Sequence, residues 1–263
     1  MEIGIFPDAQ ALADFAGQYL IKVMNTTDHK VLGVATGSTP LPLYERMRQA
    51  HAKGEFSLDD AQAFALDEYV GIDPDHPERY RNVLRSELVG EENSGLRDEN
   101  LHTPDANAAD PHAAADQYDA EIKASGGITL QILGIGADGH IGFNEPGISL
   151  VSRTHVDSLT AQTREDNARF FDDDLAKVPT QCVTQGLGTI MDAREVLLIA
   201  TGAGKADAVR ELCEGGISAK WPATILQMHP KALVLVDEAA AAKLELADFY
   251  RERWEARGSE EEK

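Results

Sequence analysis

Short apolar runs alternate along the chain with stretches of helical spacing, and this alternation constrains the fold more than any other feature. The runs predicted to be strands are residues 3–6, 31–35, 62–66, 129–133, 196–201 and 232–236. The predicted helices are residues 9–24, 111–124 and 204–213, with one more that begins at about Leu41. Continuous apolar strands separated by helices are typical of sheets buried on both faces. The pattern therefore predicts an α/β fold with a mostly parallel sheet and helices on both sides.

The length indicates a single domain. A chain of 263 residues can bury a large α/β core but is short for two full domains. We therefore predict one domain over residues 1–257 and a frayed acidic tail over residues 258–263, which include three consecutive glutamates. Residues 91–110 are polar and rich in turn-forming residues, so we predict a surface loop there.

Charge and cysteine content narrow the partners and the compartment. The formal net charge is −21, which repels nucleic acid and anionic membrane surfaces. A site for an anionic ligand would need local cations and backbone N–H groups. Two cysteines without a CxxC pair suit a reducing cytosol, and Met1–Pro7 lacks the features of a signal peptide. We expect a cytoplasmic protein without nucleic-acid or membrane partners.

The segment after the second strand has the composition of an anion site. Ligands of such sheets bind beyond the carboxyl ends of the strands. Here Gly37 permits close backbone approach, Ser38 and Thr39 supply hydroxyls, and Pro40 is suited to the start of the next helix. A helix cap joined to a tight turn would use the same residues, so this segment alone leaves both interpretations open.

Two carboxylates, Asp67 and Glu68, follow the third strand. One of them could point into a crevice as a general base, with its pKa adjusted by partial burial. The alternative is a helix cap or a solvated pair of loop carboxylates.

A glycine-rich loop follows the fourth strand. Gly134, Gly136 and Gly139 satisfy the GxGxxG pattern of dinucleotide-binding folds. That pattern also requires a helix to begin at the glycines, whereas Gly142 and the Pro146-Gly147 pair predict a continuing loop. The loop therefore does not fit an NAD site. An NAD-dependent dehydrogenase is the least favoured alternative for the function.

The same loop carries three ionisable residues, Asp138, His140 and Glu145. Histidine titrates near neutrality, and flanking carboxylates can orient it as an acid–base group. A metal site is the alternative, but a second histidine is missing at i+2 and i+4. A histidine bonded only to backbone is a further alternative. The crowding of three such groups among glycines favours catalysis without metal.

Cationic side chains occur in two later segments. Arg164 and Arg169 lie on a predicted helix, and Lys205 follows a strand near a helix start. A lysine there opposes the preference of the helix dipole, which a contact with a phosphate would explain. A surface lysine without a ligand is the alternative.

Taken together, these segments resemble the glucosamine-6-phosphate deaminases. The matching stretches are residues 35–47, 65–80, 133–147, 150–160, 163–209 and 225–232. The combination of DEYVG at 67–71 with GIGADGHIGFNEP at 134–146 is specific, and the resemblance extends over about residues 1–240. It implies a Rossmann-like α/β fold without a dinucleotide, and an enzyme of amino-sugar catabolism and N-acetylglucosamine degradation that needs no metal or organic cofactor.

The resemblance also implies roles for individual residues. Asp67 would remove the C2 proton of the open sugar, and His140 would open the pyranose ring with Asp138 and Glu145 as its partners. The substrate phosphate would be bound by Gly37, Ser38, Thr39, Arg169 and Lys205. Residues 159–184 would form a lid.

His155 and Asp157 stand where allosteric relatives have basic residues, so we expect weak or absent activation by N-acetylglucosamine 6-phosphate. The sequence does not decide between a monomer and a homo-oligomer. The alternatives are a hydrolase similar to 6-phosphogluconolactonase and a catalytically silent sugar-phosphate sensor.

Overall fold

The computed structural model describes residues 1–261, with side chains through residue 257. Its strands are β1 (Glu2–Phe6), β2 (Val31–Val34), β3 (Gln62–Ala65), β4 (Asp67–Tyr69), β5 (Leu101–His102), β6 (Leu130–Leu133), β7 (His155–Ser158), β8 (Gln181–Thr184), β9 (Glu195–Ala200) and β10 (Ala232–Asp237). Its helices are α1 (Ala9–Thr26), α2 (Leu41–Ala52), α3 (Tyr80–Leu88), α4 (Pro111–Ala124), α5 (Ala161–Asn167), α6 (Leu187–Met191), α7 (Ala206–Glu214) and α8 (Ala247–Glu261). Short 3-10 helices span Asp98–Asn100, Ala168–Phe170, Ala203–Lys205 and Pro222–Met228.

The main sheet has seven parallel strands in the order β1-β10-β9-β6-β2-β3-β5. Alternate residues of one strand face opposite layers, as the pleat requires. Along β10, Val234 and Val236 pack into the layer that contains α4, α6 and α7, whereas Leu233 and Leu235 pack into the layer of α1, α2 and α3. The predicted α/β fold with both faces covered is confirmed, and all six predicted strands are present.

A second sheet of three antiparallel strands, in the order β4-β8-β7, was not predicted. Its strands have only three or four residues, too few for a clear period-two pattern. Only Leu66 separates β3 from β4. Its N–H donates to the carbonyl of Val34 and its carbonyl accepts from the N–H of Gln185, both at 2.8 Å. The chain therefore passes directly from the main sheet into the small one.

The prediction of a surface loop over residues 91–110 is wrong in part. Leu101 and His102 form β5, which pairs with Ala63 and Phe64 at the edge of the main sheet. Leu96 and Leu101 are buried. The local sequence is polar, so the pairing with β3 supplies the order that the pattern did not show.

The predicted helix 204–213 corresponds to α7, which is preceded by the 3-10 turn at 203–205.

The carboxyl end of the predicted domain is described only in part. Within the predicted tail, 258–261 belong to α8, while Glu262 and Lys263 lie outside the described residues, so the tail and the domain boundary stay predictions. Among residues 1–261, no helix is both long and apolar enough to cross a lipid bilayer.

Asp237 at the carboxyl end of β10 organises the turn that follows β9. Its two carboxylate oxygens each accept from the N–H of Gly202 at 3.0 Å, and Oδ1 also accepts from the N–H of Ala240 at 2.7 Å. Gly202 has φ +86°, a conformation that glycine adopts without strain. The carboxylate thereby fixes the turn at 203–205, which ends at Lys205.

Replacing Asp237 with Ala leaves these N–H groups without their acceptor. We expect Asp237→Ala to lower the free energy of unfolding by about 1–3 kcal/mol, measured by urea denaturation. Asp237→Asn keeps one carbonyl acceptor and should lose less. Equal stability of Asp237→Ala and the wild-type chain would contradict this account of the turn.

Candidate active site

One cavity of about 560 Å³ is lined by segments that follow the strands of the main sheet. It lies against the residues after β2, at the β3–β4 junction, after β6 and after β9, as expected for the carboxyl ends of parallel strands. The candidate residues that line it are Gly37, Ser38, Thr39, Asp67, His140, Arg169 and Lys205. Sequence segments up to 168 positions apart, from Gly37 to Lys205, thus meet in one place.

Asp67 is the first residue of β4 and is only 7% exposed. Burial is the main reason that its pKa rises to about 8, and the nearby carboxylate of Glu68 adds to the rise. Tyr69, Tyr80 and Phe143 form an aromatic wall of the same cavity. A carboxylate in such surroundings is poorly solvated, which makes it a stronger base than a carboxylate in water.

Glu68, the next residue, has a structural task. Its carboxylate accepts from the N–H groups of Tyr69, Tyr80 and Arg81, each at 3.0 Å. Two of these N–H groups belong to the first turn of α3, so Glu68 caps that helix from a distant strand. The two carboxylates of the DE pair thus differ: Glu68 caps a helix, whereas Asp67 lines the cavity, and its role as a base stays a prediction.

His140 is in contact with both predicted partners. Its Nδ1 lies 2.7 Å from Oδ1 of Asp138 and 3.7 Å from Oε2 of Glu145. Oδ1 of Asp138 also accepts from the backbone N–H of His140 at 3.2 Å. Burial alone would raise the pKa of Asp138, but the contacts with His140 outweigh it and hold the pKa well below its usual range. Asp138 is therefore ionised at neutral pH and orients the imidazole.

The glycines of this loop make room for His140. A Cβ on Gly136 would lie 2.6 Å from Oδ1 of Asp138 and would also collide with the imidazole. No helix begins at the GxGxxG glycines, because residues 134–151 form turns and irregular backbone. The pattern is explained by close packing around the histidine, without a role in binding a pyrophosphate.

Glu145 connects the histidine to α5. Its Oε1 accepts a hydrogen bond from Oγ1 of Thr163 at 2.6 Å and lies 3.2 Å from Oγ1 of Thr160. Both threonines were missed as site residues, because isolated threonines on a surface helix carry no distinctive sequence signal. Tyr69 and Tyr80 were also missed as site residues, because a single tyrosine carries no distinctive sequence signal either.

The cationic end of the cavity brings together groups from three segments. Ser38 and Thr39 follow β2, Lys205 ends the turn after β9, and Arg169 lies in the 3-10 turn after α5. Burial lowers the pKa of Lys205, and Arg169 lowers it further, whereas Asp166 opposes both. Two cations close enough to affect each other in a chain of charge −21 favour an anionic ligand between them. Arg164 instead donates to the carbonyl of Leu175 at 2.8 Å.

The acid–base cluster could also hold a metal ion. Donor atoms of Asp138, His140 and Glu145 all lie within 4.8 Å of one another. The 2.7 Å contact between His140 and Asp138 is accounted for by their own charge-assisted interaction, without an ion between them. Catalysis without metal stays a prediction.

Fold and site together define a class of α/β enzymes in which a buried carboxylate and a histidine share a cavity with cationic side chains. Comparison with known proteins agrees. The family model described as glucosamine-6-phosphate isomerases/6-phosphogluconolactonase matches residues 7–235. The chain belongs to this family.

Individual relatives are similar over nearly their full length. The chain is 53% identical to the glucosamine-6-phosphate deaminase of Pseudarthrobacter chlorophenolicus and 50% identical to that of Mycolicibacterium smegmatis, with 98% of both chains covered in each case. A solved monomeric glucosamine-6-phosphate deaminase superposes with a TM-score of 0.88 at 35% identity, covering 92% of this chain and all of that one. The 6-phosphogluconolactonase of Trypanosoma cruzi shares the fold, with a TM-score of 0.75 at 18% identity and 93% and 97% coverage.

The raised pKa of Asp67 has a consequence for stability. Between its ordinary pKa of 3.8 and about 8, the unfolded chain has lost the proton while the folded chain retains it. The unfolded state therefore gains relative stability as the pH rises through this window. Asparagine is neutral in both states and avoids this effect.

We expect Asp67→Asn to be more stable than the wild-type chain by on the order of 2 kcal/mol near pH 8, with little difference near pH 4. Urea denaturation at several pH values measures this difference. A gap that does not change with pH, or a less stable variant at pH 8, would contradict the assignment of a desolvated carboxylate.

Proposed function

We propose that this chain catalyses the isomerisation and deamination of glucosamine 6-phosphate to fructose 6-phosphate and ammonia. The observation that carries the proposal is that Asp67, His140, Arg169 and Lys205 all line one cavity. Such a cavity suits a sugar with a phosphate at one end and reacting carbons at the other. The names of the relatives at 50–53% identity support the same activity.

Ring opening is the task we assign to His140. The pyranose must open because only the aldehyde acidifies the proton on C2. A histidine beside the ring can move a proton between O5 and O1, and general acid–base help of this kind contributes about 10²–10⁴-fold. Asp138 at 2.7 Å and Glu145 at 3.7 Å orient the imidazole and stabilise its protonated form.

Removal of the C2 proton is the task we assign to Asp67. Its pKa of about 8 leaves it largely protonated near neutral pH in the free chain. The amino group on C2 of the substrate, when protonated, places a positive charge next to the proton to be removed. A cation beside Asp67 favours the carboxylate form, so the substrate itself would help to ionise its base. Removal of the C2 proton gives an enolamine, and return of a proton to C1 converts it to the imine at C2. Water then adds to C2 of this imine, and ammonia leaves to give fructose 6-phosphate.

Phosphate binding is the task we assign to Gly37, Ser38, Thr39, Arg169 and Lys205. All five line the cavity. The phosphate takes no part in the chemistry, so its binding energy can be used to hold C1 and C2 in register with the two catalytic groups.

The rival function is hydrolysis of a sugar-phosphate lactone. A lactonase needs no base that removes a proton from carbon. Solved 6-phosphogluconolactonases are only 16–20% identical to this chain, so their similarity shows the fold alone. The buried Asp67 facing the cavity therefore favours the deaminase. A silent sugar-phosphate sensor would not need the His140 cluster. Ammonia release from glucosamine 6-phosphate, compared with acid release from 6-phosphogluconolactone, distinguishes the two enzymes.

The biological setting is part of the same proposal. We place the chain in the cytoplasm and in the degradation of N-acetylglucosamine. The two cysteines, Cys182 and Cys213, are free thiols, which suits a reducing compartment. The charge of −21 disfavours nucleic acid and anionic membranes as partners. Whether the chain works as a monomer or a homo-oligomer is left to measurement of its mass in solution.

The base assignment predicts the effect of one substitution. Asp67→Asn should reduce kcat for formation of ammonia and fructose 6-phosphate by at least about 10²-fold, because the general base is lost. Asp60→Asn, which removes an exposed carboxylate paired with Lys30, is the control and should stay within about twofold. Retention of activity by Asp67→Asn would disprove the assignment.

The region around β7 predicts the absence of an allosteric response. Arg153 is already paired with Asp119 at 2.6 Å and with Asp192 at 2.7 Å, and Nε2 of His155 lies 3.6 Å from Asp157. The charge of Arg153 is therefore neutralised locally, and the carboxylate of Asp157 repels a phosphate. We expect N-acetylglucosamine 6-phosphate to leave the initial-rate curve unchanged. A sigmoidal curve that this ligand makes hyperbolic would contradict the prediction.

A further inference from the structure

Helix α5 is hydrogen-bonded at its amino end to Glu145 of the acid–base cluster and at its carboxyl end to Tyr69 in the aromatic wall of the cavity. At its amino end, Thr163 donates from Oγ1 to Oε1 of Glu145 at 2.6 Å. At its carboxyl end, Asn167 donates from Nδ2 to Oη of Tyr69 at 2.9 Å. Tyr69 is two residues after Asp67 on β4. The helix therefore spans the distance between the surroundings of His140 and those of Asp67.

The carboxylate of Glu145 divides its two oxygens between α5 and the histidine. Oε1 faces the threonine hydroxyls, and Oε2 lies 3.7 Å from Nδ1 of His140. Glu145 is 8% exposed and Thr163 is 6% exposed, so water has little access to either. Oε2 is buried and makes no hydrogen bond within the described part of the chain. A buried carboxylate depends on its few donors for orientation. The two threonine hydroxyls therefore set where Oε2 points, and that of Thr163 is the closer one.

The threonine pair cannot be explained by helix capping alone. Thr160 is the N-cap of α5, and its Oγ1 accepts from the N–H of Thr163 at 3.2 Å. That role needs the hydroxyl of Thr160 only. The hydroxyl of Thr163 instead forms its shortest contact outside the helix, with a residue of the loop that carries His140.

We propose that Thr163 is a positioning residue for His140, acting through Glu145, and that docking of α5 thereby completes the acid–base site. This inference rests on the proposed function. The chain continues from α5 directly into the 3-10 turn at Ala168–Phe170, which carries Arg169 at the cavity. The docked helix holds Glu145 in place for ring opening, while Arg169 follows it at the cavity.

The test compares three variants with the wild-type chain. Thr163→Val keeps the shape of the side chain but removes the hydroxyl, whereas Thr163→Ser keeps the hydroxyl. Thr129→Val is the matched control, because Thr129 is a buried threonine like Thr163. Its hydroxyl donates to the backbone carbonyl of His29 and not to a carboxylate. It lies before β6, at the opposite end of that strand from the His140 loop. Steady-state kcat and KM for glucosamine 6-phosphate are measured, with the thermal midpoint of each variant.

We expect Thr163→Val to lower kcat roughly 10-fold or more, with KM within about threefold, since His140 is misoriented while the phosphate site is intact. Thr163→Ser should retain at least about half of the wild-type kcat, and Thr129→Val should lose stability without a comparable loss of kcat. If the wild-type chain releases no ammonia, the proposed function fails before this comparison begins.

Three results would overturn the inference while leaving the proposed function intact. One is a Thr163→Val kcat within about twofold of wild type. Another is an equal loss of kcat in Thr163→Ser, which would assign the effect to packing of the methyl group. The third is a rise of KM alone, which would limit α5 to holding Arg169. If Thr163→Val does not fold, the kcat of Thr163→Ser still decides: a loss of 10-fold or more overturns the proposal, and near-wild-type kcat supports it.

Discussion

The one-residue junction at Leu66 is the constraint on which the site depends. Backbone hydrogen bonds hold Leu66 between Val34 of the main sheet and Gln185 beside the small sheet. The next residue, Asp67, is therefore fixed where the two sheets meet, with an exposed fraction of only 7%. Its pKa of about 8 follows from that position. A carboxylate on a solvent-exposed loop would instead be solvated and would be a weak base.

The charged groups around the cavity have local partners inside a strongly acidic chain. Asp138 lies 2.7 Å from His140, Thr163 donates to Glu145, and Glu68 accepts from helix N–H groups and lies 3.8 Å from Arg79. Arg169 and Lys205 then supply the positive end of the cavity. At the distances involved, neighbours within a few ångströms outweigh the net charge, which salt screens beyond about 10 Å.

Rigid and adjustable parts of the site come from different elements. Asp67 and the His140 loop are anchored to sheets and to packed glycines such as Gly136. Thr163, Asn167 and Arg169 come from α5 and the turn after it, which are held by side-chain contacts more than by a sheet. Asp67 and His140 are thus positioned by the sheets and the loop between them, whereas Arg169 is positioned by elements outside the sheets.

The sequence alone predicted the class of the fold and the segments that line the cavity. It did so through six apolar strand runs and the predicted helices, because periodicity is written into adjacent residues, and through the DEYVG and glycine-rich segments, whose residue roles come from the resemblance and stay predictions. It did not show the small antiparallel sheet, the edge strand at Leu101–His102 or the task of Glu68, since short strands and distant caps depend on partners far along the chain. Tertiary packing places Asp67 at the cavity while Glu68 caps α3. It also brings Thr163 within hydrogen-bonding distance of Glu145. Direction and burial of a side chain are properties of what surrounds it, and those surroundings exist only once the chain has folded.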